Sequence, residues 1–319
     1  MLAPGEPREH PLSAGAPEAV TLGIVAQDLH DHRGESGRVA GGDGAGALAV
    51  RADDLGPLGQ DWGLPPYVPW KLRAAGYRPW IETLRRIVAH AGMLRIDHVM
   101  GLFRLYLIPP GHDALDGAYV YSYGAELLDL ACMEAVRAGA SLVGEDLGTV
   151  EPEVQTAMAE RGVYGYQVGW FTDDAPSDWP DNKVAMLSTH DLPTVAGMWT
   201  GADCAARAAA GLPEQTEADA VLRQRLEHLA SIGGLDDPAS IPNGLAGAHE
   251  VSLTAHRAIA AAPSPLVIAT LEDAVGQLSR PNLPGTVDEH PNWRVALPSR
   301  IDDLDLSGAA EIAAALDRG

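Results

Sequence analysis

Three short apolar segments that end in acidic residues constrain the fold of this chain more than any other feature of its sequence. In each of them a carboxylate follows a hydrophobic run, and the segments are 94–98, 142–148 and 186–191, with Asp97, Glu145 and Asp191 as the acids. A carboxylate in that position is costly unless it is paired, solvated or used in chemistry. We therefore expect the acids at the carboxyl ends of parallel strands, where a β/α barrel carries its active site.

The rest of the chain alternates predicted strands with predicted helices. Apolar and β-branched runs predict strands near residues 20, 94, 140, 165, 185 and 266. Helical spacing of apolar residues predicts helices over 80–88, 124–138, 151–160, 214–231 and 248–261. This alternation is typical of the α/β class and predicts a catalytic domain of the (β/α)8 TIM-barrel type. A closed barrel needs eight strands and typically about 250 residues, so the strands found indicate an incomplete barrel.

We expect three regions along the chain. Residues 1–18 are rich in Pro, Gly, Ala and charge, without periodicity, and are predicted to be disordered. Residues 19–300 are predicted to form the partial barrel, and residues 31–60 within it to form a long loop. Residues 301–319 are predicted to be a C-terminal helical tail.

Charge and cysteine content exclude several classes of partner. The formal net charge of -22 argues against binding nucleic acid or an anionic membrane, because both are polyanions. The two cysteines are too few for a disulfide framework or a thiolate metal site, which favours a reducing, cytoplasmic location. The sequence contains no apolar run of about 18 residues, and its N-terminus does not have the pattern of an export signal.

The three acids match the needs of an enzyme that breaks a glycosidic bond. Such an enzyme uses one carboxylate as nucleophile and one carboxylic acid to protonate the leaving oxygen, about 5 Å apart when configuration is retained. Asp97 suits the nucleophile, because Arg95 projects to the same side of the strand and can hold it ionised. Glu145 suits the acid, because desolvation after an apolar run raises the pKa of a carboxyl. Asp191, with His190 beside it, could bind sugar hydroxyls and stabilise a positively charged ring.

Each acid also has an alternative interpretation. Asp97 and Arg95 could form a structural ion pair, the acids at 145 and 146 could complement a helix dipole, and residues 189–191 could form a turn and helix cap. A metal-dependent barrel hydrolase could use Asp97, His98, His190 and Asp191 as ligands. The sequence has no His-x-His pair on the first strand and no His-Glu-x-x-His helix, and neighbours on a strand point to opposite faces.

At these residues the chain resembles the 4-α-glucanotransferases of glycoside hydrolase family 77. The nucleophile, acid/base and third-acid motifs of that family are similar to Arg95-Ile96-Asp97-His98, Gly144-Glu145-Asp146-Leu147-Gly148 and Thr189-His190-Asp191. A segment that lines the sugar cleft resembles Gly59-Gln60-Asp61-Trp62-Gly63-Leu64-Pro65, and a C-terminal signature resembles Asn282-x-Pro284-Gly285-Thr286 with Asn292-Trp293-Arg294. The order and spacing agree over about residues 18–298.

The resemblance implies a (β/α)8 barrel that transfers segments of 1,4-α-glucan between maltooligosaccharides, with no cofactor and no metal. It implies Asp97 as nucleophile, Glu145 as general acid/base and Asp191 as stabiliser of the transition state. Substrate binding is expected from Arg95, His98, His190, Gln60, Trp62 and Tyr67, whose aromatic members offer faces for glucose rings. Ordinary packing is the alternative for Trp62 and Tyr67, a structural histidine is the alternative for His98, and Trp293 is expected in the core.

The chain departs from the family in its length. By resemblance, the strand near residue 20 corresponds to the third barrel strand, so we expect the first two βα units to be absent. An open barrel would expose strand edges and inner apolar layers. A catalytically impaired, glucan-binding fragment is therefore the alternative to an active transferase.

Overall fold

The structure is a computed structural model that describes residues 19–22, 47–50, 60–112 and 114–318, with the backbone alone at 19–22, 47–50, 60–63 and 114. The predicted disorder of residues 1–18 and most of the predicted loop at 31–60 lie outside the described residues. The chain divides into two compact units, residues 1–165 and residues 166–319.

The first unit contains a parallel sheet, an antiparallel sheet and helices. Its strands are β1 (Ala19–Leu22), β2 (Ala47–Val50), β3 (Gln60–Leu64), β4 (Met93–Ile96), β5 (Arg104–Ile108), β6 (Ala118–Tyr121) and β7 (Ser141–Gly144). Its helices are α1 (Pro69–Ala74), α2 (Arg78–Val88), α3 (Gly124–Ala138) and α4 (Pro152–Glu160). The parallel sheet has the order β1-β4-β7, and the antiparallel sheet has the order β3-β2-β5-β6.

The parallel sheet forms because β4 and β7 are short apolar strands. Leu94 and Ile96 of β4 are fully buried, and Ile96 is opposite Gly144 in the parallel register. Because the two strands end at the same level, the residues that follow them, Asp97 and Glu145, leave the same edge of the sheet. The expectation that these two acids follow neighbouring parallel strands is confirmed.

Helices α2 and α3 pack beside this sheet and form the core of the first unit. Leu84 and Leu128 are fully buried there, and the indole nitrogen of Trp80 donates a hydrogen bond of 3.1 Å to the carbonyl oxygen of Leu127. Glu134 of α3 is buried at the same contact and receives Arg85 of α2 at 2.8 Å.

The antiparallel sheet was not expected from the sequence. Residues 47–50, which the sequence assigned to a long loop, form β2, and β3 follows at residues 60–64. The loop prediction was wrong there because β2 is short and pairs with β5, more than fifty residues further along the chain. Its ladder of hydrogen bonds comes from two other strands, β3 and β5, so the local sequence carries little signal.

The second unit combines a three-stranded sheet with helices. Its strands are β8 (Gly165–Val168), β9 (Lys183–Met186) and β10 (Leu266–Ile268), in the order β10-β9-β8, and β9 pairs with β10 in parallel. Its helices are α5 (Val195–Thr200), α6 (Ala202–Ala209), α7 (Thr216–Ile232), α8 (Leu245–Ile259), α9 (Leu271–Ala274) and α10 (Ser307–Leu316). Trp170, Trp199, Leu226 and Ile259 are fully buried in this unit.

The strands expected near residues 20, 94, 140, 165, 185 and 266 are all present, in the two sheets that contain parallel pairs. Within the parts of the chain that the structure describes, none of the helices has both the length and the apolar character needed to span a bilayer.

Candidate functional site

Asp97 follows β4 directly and makes an ion pair with Arg95. The Arg95 side chain is 13 % exposed and the Asp97 carboxylate is 37 % exposed, so the pair connects the buried strand with solvent. Residues two apart on a strand point to the same side, and this is what brings the two groups together. The predicted contact between Arg95 and Asp97 is therefore confirmed.

Glu145 follows β7 and is held by backbone donors on both of its oxygens. The amide of Leu147 donates to Oε1 at 2.7 Å, and the amide of His98 donates to Oε2 at 2.9 Å. Burial raises the pKa of this carboxyl, with a further increase from the charge of Asp97, while the two amides and Arg95 act in the opposite direction. Burial dominates, so the predicted upward shift of the Glu145 pKa is confirmed.

The backbone around Glu145 is tied to the end of β4. The Glu145 amide donates to the carbonyl oxygen of Ile96 at 2.8 Å, and the Val99 amide donates to the carbonyl oxygen of Glu145 at 3.0 Å. Gly144 permits this approach, because a Cβ there would lie 2.8 Å from Met158 and 2.9 Å from Val99. The acid is therefore fixed in place by its backbone as well as by its side chain.

His98 has a left-handed backbone conformation, with φ of 46°. This region is unfavourable for residues with a Cβ and is found where the surrounding structure requires it. Here it accompanies the hydrogen bond from the His98 amide to the Glu145 carboxylate. Burial lowers the pKa of the His98 ring, which favours its neutral form, while the charge of Asp97 raises it.

Arg104 is a charged member of this group that the sequence analysis did not identify. It makes an ion pair with Glu151, its guanidinium lies 4.2 Å from the ring centroid of Tyr119, and its charge contributes to lowering the pKa of His98. The available signal was an arginine at the start of the otherwise apolar β5. The structure thus brings Arg95, Asp97, His98, Glu145 and Arg104 together in the first unit.

Asp191 lies in the second unit, after β9, and both of its carboxylate oxygens have neighbours. The side-chain amide of Asn282 donates to Oδ1 at 2.7 Å, and Nε2 of His190 lies 3.3 Å from Oδ2. The main chain is held as well, because Arg280 donates to the carbonyl oxygen of Asp191 at 2.8 Å. Asn282 belongs to the C-terminal motif noted in the sequence, but neither its contact with Asp191 nor that of Arg280 was predicted.

The helix-based alternatives do not apply to these acids. Helix α4 begins only at Pro152, with Glu153 as the acid of its first turn, so Glu145 and Asp146 are not its N-terminal acids. Residues 189–191 do form a turn, because the Leu192 amide donates to the carbonyl oxygen of Thr189 at 3.2 Å. They do not cap α5, whose cap is Thr194 with its hydroxyl accepting from the amide of Gly197.

Trp293 was expected in the core, and this prediction was wrong. Its side chain is 66 % exposed, its φ is 60°, and its ring centroid lies 5.0 Å from that of His190. The amide of Trp293 donates to the carbonyl oxygen of Pro281 at 2.9 Å, which holds the indole near the Asp191 loop. The residues around it, which include His290 and Asn292, form a loop and have no apolar periodicity, a signal that argued against a core position.

The remaining predicted binding residues are Gln60, Trp62 and Tyr67. Gln60 and Trp62 lie in β3, and their side chains are outside the described part of the structure. Tyr67 packs against the core of the first unit; burial raises the pKa of its hydroxyl, and a hydrogen bond with Thr83 lowers it. Among the described residues, no group of three or more His, Cys, Asp or Glu side chains could hold a metal ion.

Comparison with known sequences agrees with the motifs. The model of a family described as 4-alpha-glucanotransferase, glycoside hydrolase family 77, matches residues 36–301. Proteins named 4-alpha-glucanotransferase from Mycobacterium tuberculosis and Haemophilus influenzae are 38 % and 37 % identical to this chain. Each match covers 77 % of this chain but only 35 % and 37 % of the relatives, so the chain spans about a third of their length.

Comparison with solved structures agrees with the fold. The amylomaltase from Corynebacterium glutamicum is similar with a TM-score of 0.82 and 29 % identity, over 94 % of this chain and 46 % of that chain. The amylomaltase from Streptococcus agalactiae in complex with acarbose has the same fold, with a TM-score of 0.63 and 23 % identity over 85 % and 50 % of the two chains. With the family match over residues 36–301, these findings show that the chain belongs to the 4-alpha-glucanotransferases of glycoside hydrolase family 77.

Proposed function

We propose that this chain carries the catalytic centre of a retaining 4-α-glucanotransferase, which moves 1,4-α-glucan segments between maltooligosaccharides. The observation that carries the proposal is the pairing of Asp97 with Arg95 beside a Glu145 of raised pKa, at the ends of adjacent parallel strands. An ionised carboxylate next to a protonated one is what a double displacement needs.

In the first step, a carboxylate oxygen of Asp97 attacks the anomeric carbon of the donor. The bond from that carbon to the glycosidic oxygen breaks, and Glu145 transfers its proton to the leaving oxygen. In the second step, the ionised Glu145 takes the proton from an acceptor hydroxyl, whose oxygen displaces Asp97 from the sugar. Transfer exceeds hydrolysis when the acceptor excludes water from the ester.

The other predicted site residues receive supporting roles in this proposal. Asp191 stabilises the positively charged ring of the transition state, an assignment supported by its motif and by the hydrogen bond from Asn282 that orients its carboxylate. His98, whose pKa is lowered by burial, and His190 bind sugar hydroxyls. Gln60, Trp62 and Tyr67 contribute to the sugar cleft, and Arg95 pairs with the nucleophile.

The architecture behind the proposal is a (β/α)8 barrel to which the parallel strands belong. It is supported by the likeness to the Corynebacterium glutamicum amylomaltase. A reducing, cytoplasmic location is supported by Cys132 and Cys204, which are both free.

A second candidate is a glucan-binding chain without turnover. The observation that favours it is length, because the chain spans about a third of the relatives that carry the transferase name. Incubation with maltotriose separates the two functions. Glucose and longer maltooligosaccharides, measured by chromatography, support the transferase, and saturable binding of acarbose without products supports the binding protein.

The Asp97→Asn variant is the direct test of the nucleophile. It should abolish product formation and retain acarbose binding, because the amide keeps the shape of the carboxylate but cannot form the ester. Asp129→Asn is a matched control, since Asp129 also contacts an arginine, Arg161, at 2.7 Å but lies on α3. Disproportionation by the Asp97→Asn variant at the unsubstituted rate would refute the assignment.

A further inference from the structure

The second unit contains a buried ion pair between Arg280 and Asp203. The Arg280 side chain is 8 % exposed and the Asp203 side chain is 3 % exposed. Nε of Arg280 donates to Oδ1 of Asp203 at 2.8 Å, and Nη2 donates to Oδ2, so the pair is bidentate. Removing each charge from water costs several kcal/mol, and the attraction between the two charges returns about the same amount. Stability alone therefore does not account for such a pair.

The remaining edge of the Arg280 guanidinium faces the third acid. Nη1 of Arg280 donates to the carbonyl oxygen of Asp191 at 2.8 Å. Two residues after Arg280, the main-chain amide of Asn282 donates to the carbonyl oxygen of His190 at 3.2 Å, so the two segments are also joined by their backbones. The guanidinium is planar and its donors are rigidly spaced, so its position against Asp203 determines its position against Asp191.

The ion pair also closes a loop in the chain. Asp203 lies in the first turn of α6, and Asp191 lies before α5, which directly precedes α6. The start of α5 has its own anchor, because the Val195 amide donates to Oδ1 of the buried Asp273 at 2.7 Å. Arg280 therefore bridges the two ends of the segment 191–203, and a loop tied at both ends has few alternative conformations.

We propose that the Arg280–Asp203 pair positions Asp191 for turnover, a proposal that rests on the proposed transferase function. Arg280 touches the main chain of Asp191 and not its carboxylate, so it is a positioning residue. The charge that Asp191 stabilises develops only in the transition state, so a displaced carboxylate lowers kcat and leaves KM nearly unchanged.

The test compares Arg280→Gln and Arg280→Lys with the matched control Arg207→Gln. Arg207 lies on α6, one turn after Asp203, and is equally buried; it contacts Asp219 at 3.3 Å and the carbonyl oxygen of Pro213 at 3.0 Å, away from the Asp191 loop. We expect Arg280→Gln to lower kcat for maltotriose by about 100-fold, with KM within about twofold. Arg280→Lys should lower kcat by less than Arg280→Gln does, because the ammonium keeps the positive charge. The Arg207→Gln control should keep the kcat of the unsubstituted chain.

Non-additivity separates positioning from general stabilisation. In an Asp191→Asn background, Arg280→Gln should cause no further loss of kcat, because the group that it positions is already gone. The same fold loss in both backgrounds would overturn the proposal. Equal losses of kcat in the Arg207→Gln control would overturn it as well, since they would reflect the general stability of α6.

A second readout does not depend on catalysis. Hydrogen exchange at residues 187–194 should be about fivefold faster or more in Arg280→Gln and unchanged in Arg207→Gln, because only the first variant releases the Asp191 loop. If the unsubstituted chain forms no products, the transferase function fails while this measurement still decides whether Arg280 orders the loop. Unchanged exchange in Arg280→Gln, or loss of folding in both Arg280→Lys and Asp203→Asn, would contradict the positioning role.

Discussion

At the scale of single residues, the site depends on two carboxylates that sit in different environments although they leave adjacent strands. Asp97 contacts a guanidinium, whereas burial is the largest influence on the pKa of Glu145. Among the contacts described, Glu145 accepts hydrogen bonds only from main-chain amides. Burial raises the pKa of Glu145, which suits a proton donor, and the guanidinium beside Asp97 suits a nucleophile that acts as a carboxylate.

The pH dependence of kcat/KM tests the state of Glu145. The residue must be protonated in the first step, so activity falls as pH rises through its pKa. Burial raises that pKa above the ordinary value of 4.5, so the alkaline limb of the profile should lie above pH 4.5. An alkaline limb at or below that pH would contradict the assignment of Glu145 as the acid.

Replacement of Glu145 by glutamine separates its role from that of Asp97. Glu145→Gln should lower maltotriose turnover by about 100- to 10,000-fold, because the leaving oxygen is no longer protonated. An activated donor such as a maltosyl fluoride needs no acid to expel its leaving group, so the first step with this donor should be retained. Release of fluoride measures that step. Equal losses on both donors would argue against the role. Glu153→Gln, an exposed acid at the start of α4, is the control.

At the scale of structural elements, local patterns predicted some parts and not others. The apolar spacing within α3 predicted its bounds, 124–138, and the apolar runs at β4 and β7 predicted those strands within a few residues. All four strands of the antiparallel sheet, β2, β3, β5 and β6, were missed, although β2 and β5 are largely apolar. Apolar runs that alternate with helices follow the βαβ pattern and could be predicted, whereas the strands of the antiparallel sheet lie outside that pattern and depend on tertiary pairing.

The junction between β7 and Glu145 offers a test at this scale. In Gly144→Ala the new Cβ would press against Met158 and Val99, so we expect a loss of about 1 to 3 kcal/mol in the free energy of unfolding. Urea denaturation measures this loss. Gly244→Ala is the control, because its Cβ would meet nothing within 4 Å; it should cost less than about 1 kcal/mol, since Gly244 is the N-cap of α8 and alanine caps a helix less well than glycine. Similar stability of the two variants would show that β7 does not require glycine.

At the scale of the whole molecule, acidic residues outnumber basic ones by 44 to 22. Like charges repel one another in a compact state, and salt screens that repulsion over a Debye length of about 10 Å at 0.1 M. We expect added sodium chloride to stabilise the fold by on the order of 1 kcal/mol, which corresponds to about 2–4 °C in the melting temperature. Calorimetry between low and moderate salt measures this shift, and a lower melting temperature in salt would show that attractive ion pairs outweigh the net repulsion.

Motifs and apolar runs are local properties of the chain, so they were sufficient to predict the family, the three acids and the strands that precede them. The sequence also predicted the contact of Arg95 with Asp97 and the raised pKa of Glu145, which follow from strand geometry and burial. The distant residues that hold the acids became visible only in the folded chain: the His98 amide, on a backbone with positive φ, contacts Glu145, and Asn282 and Arg280 contact Asp191. These contacts join residues 47 to 91 positions apart, and no local pattern encodes which polar groups folding brings within hydrogen-bonding distance.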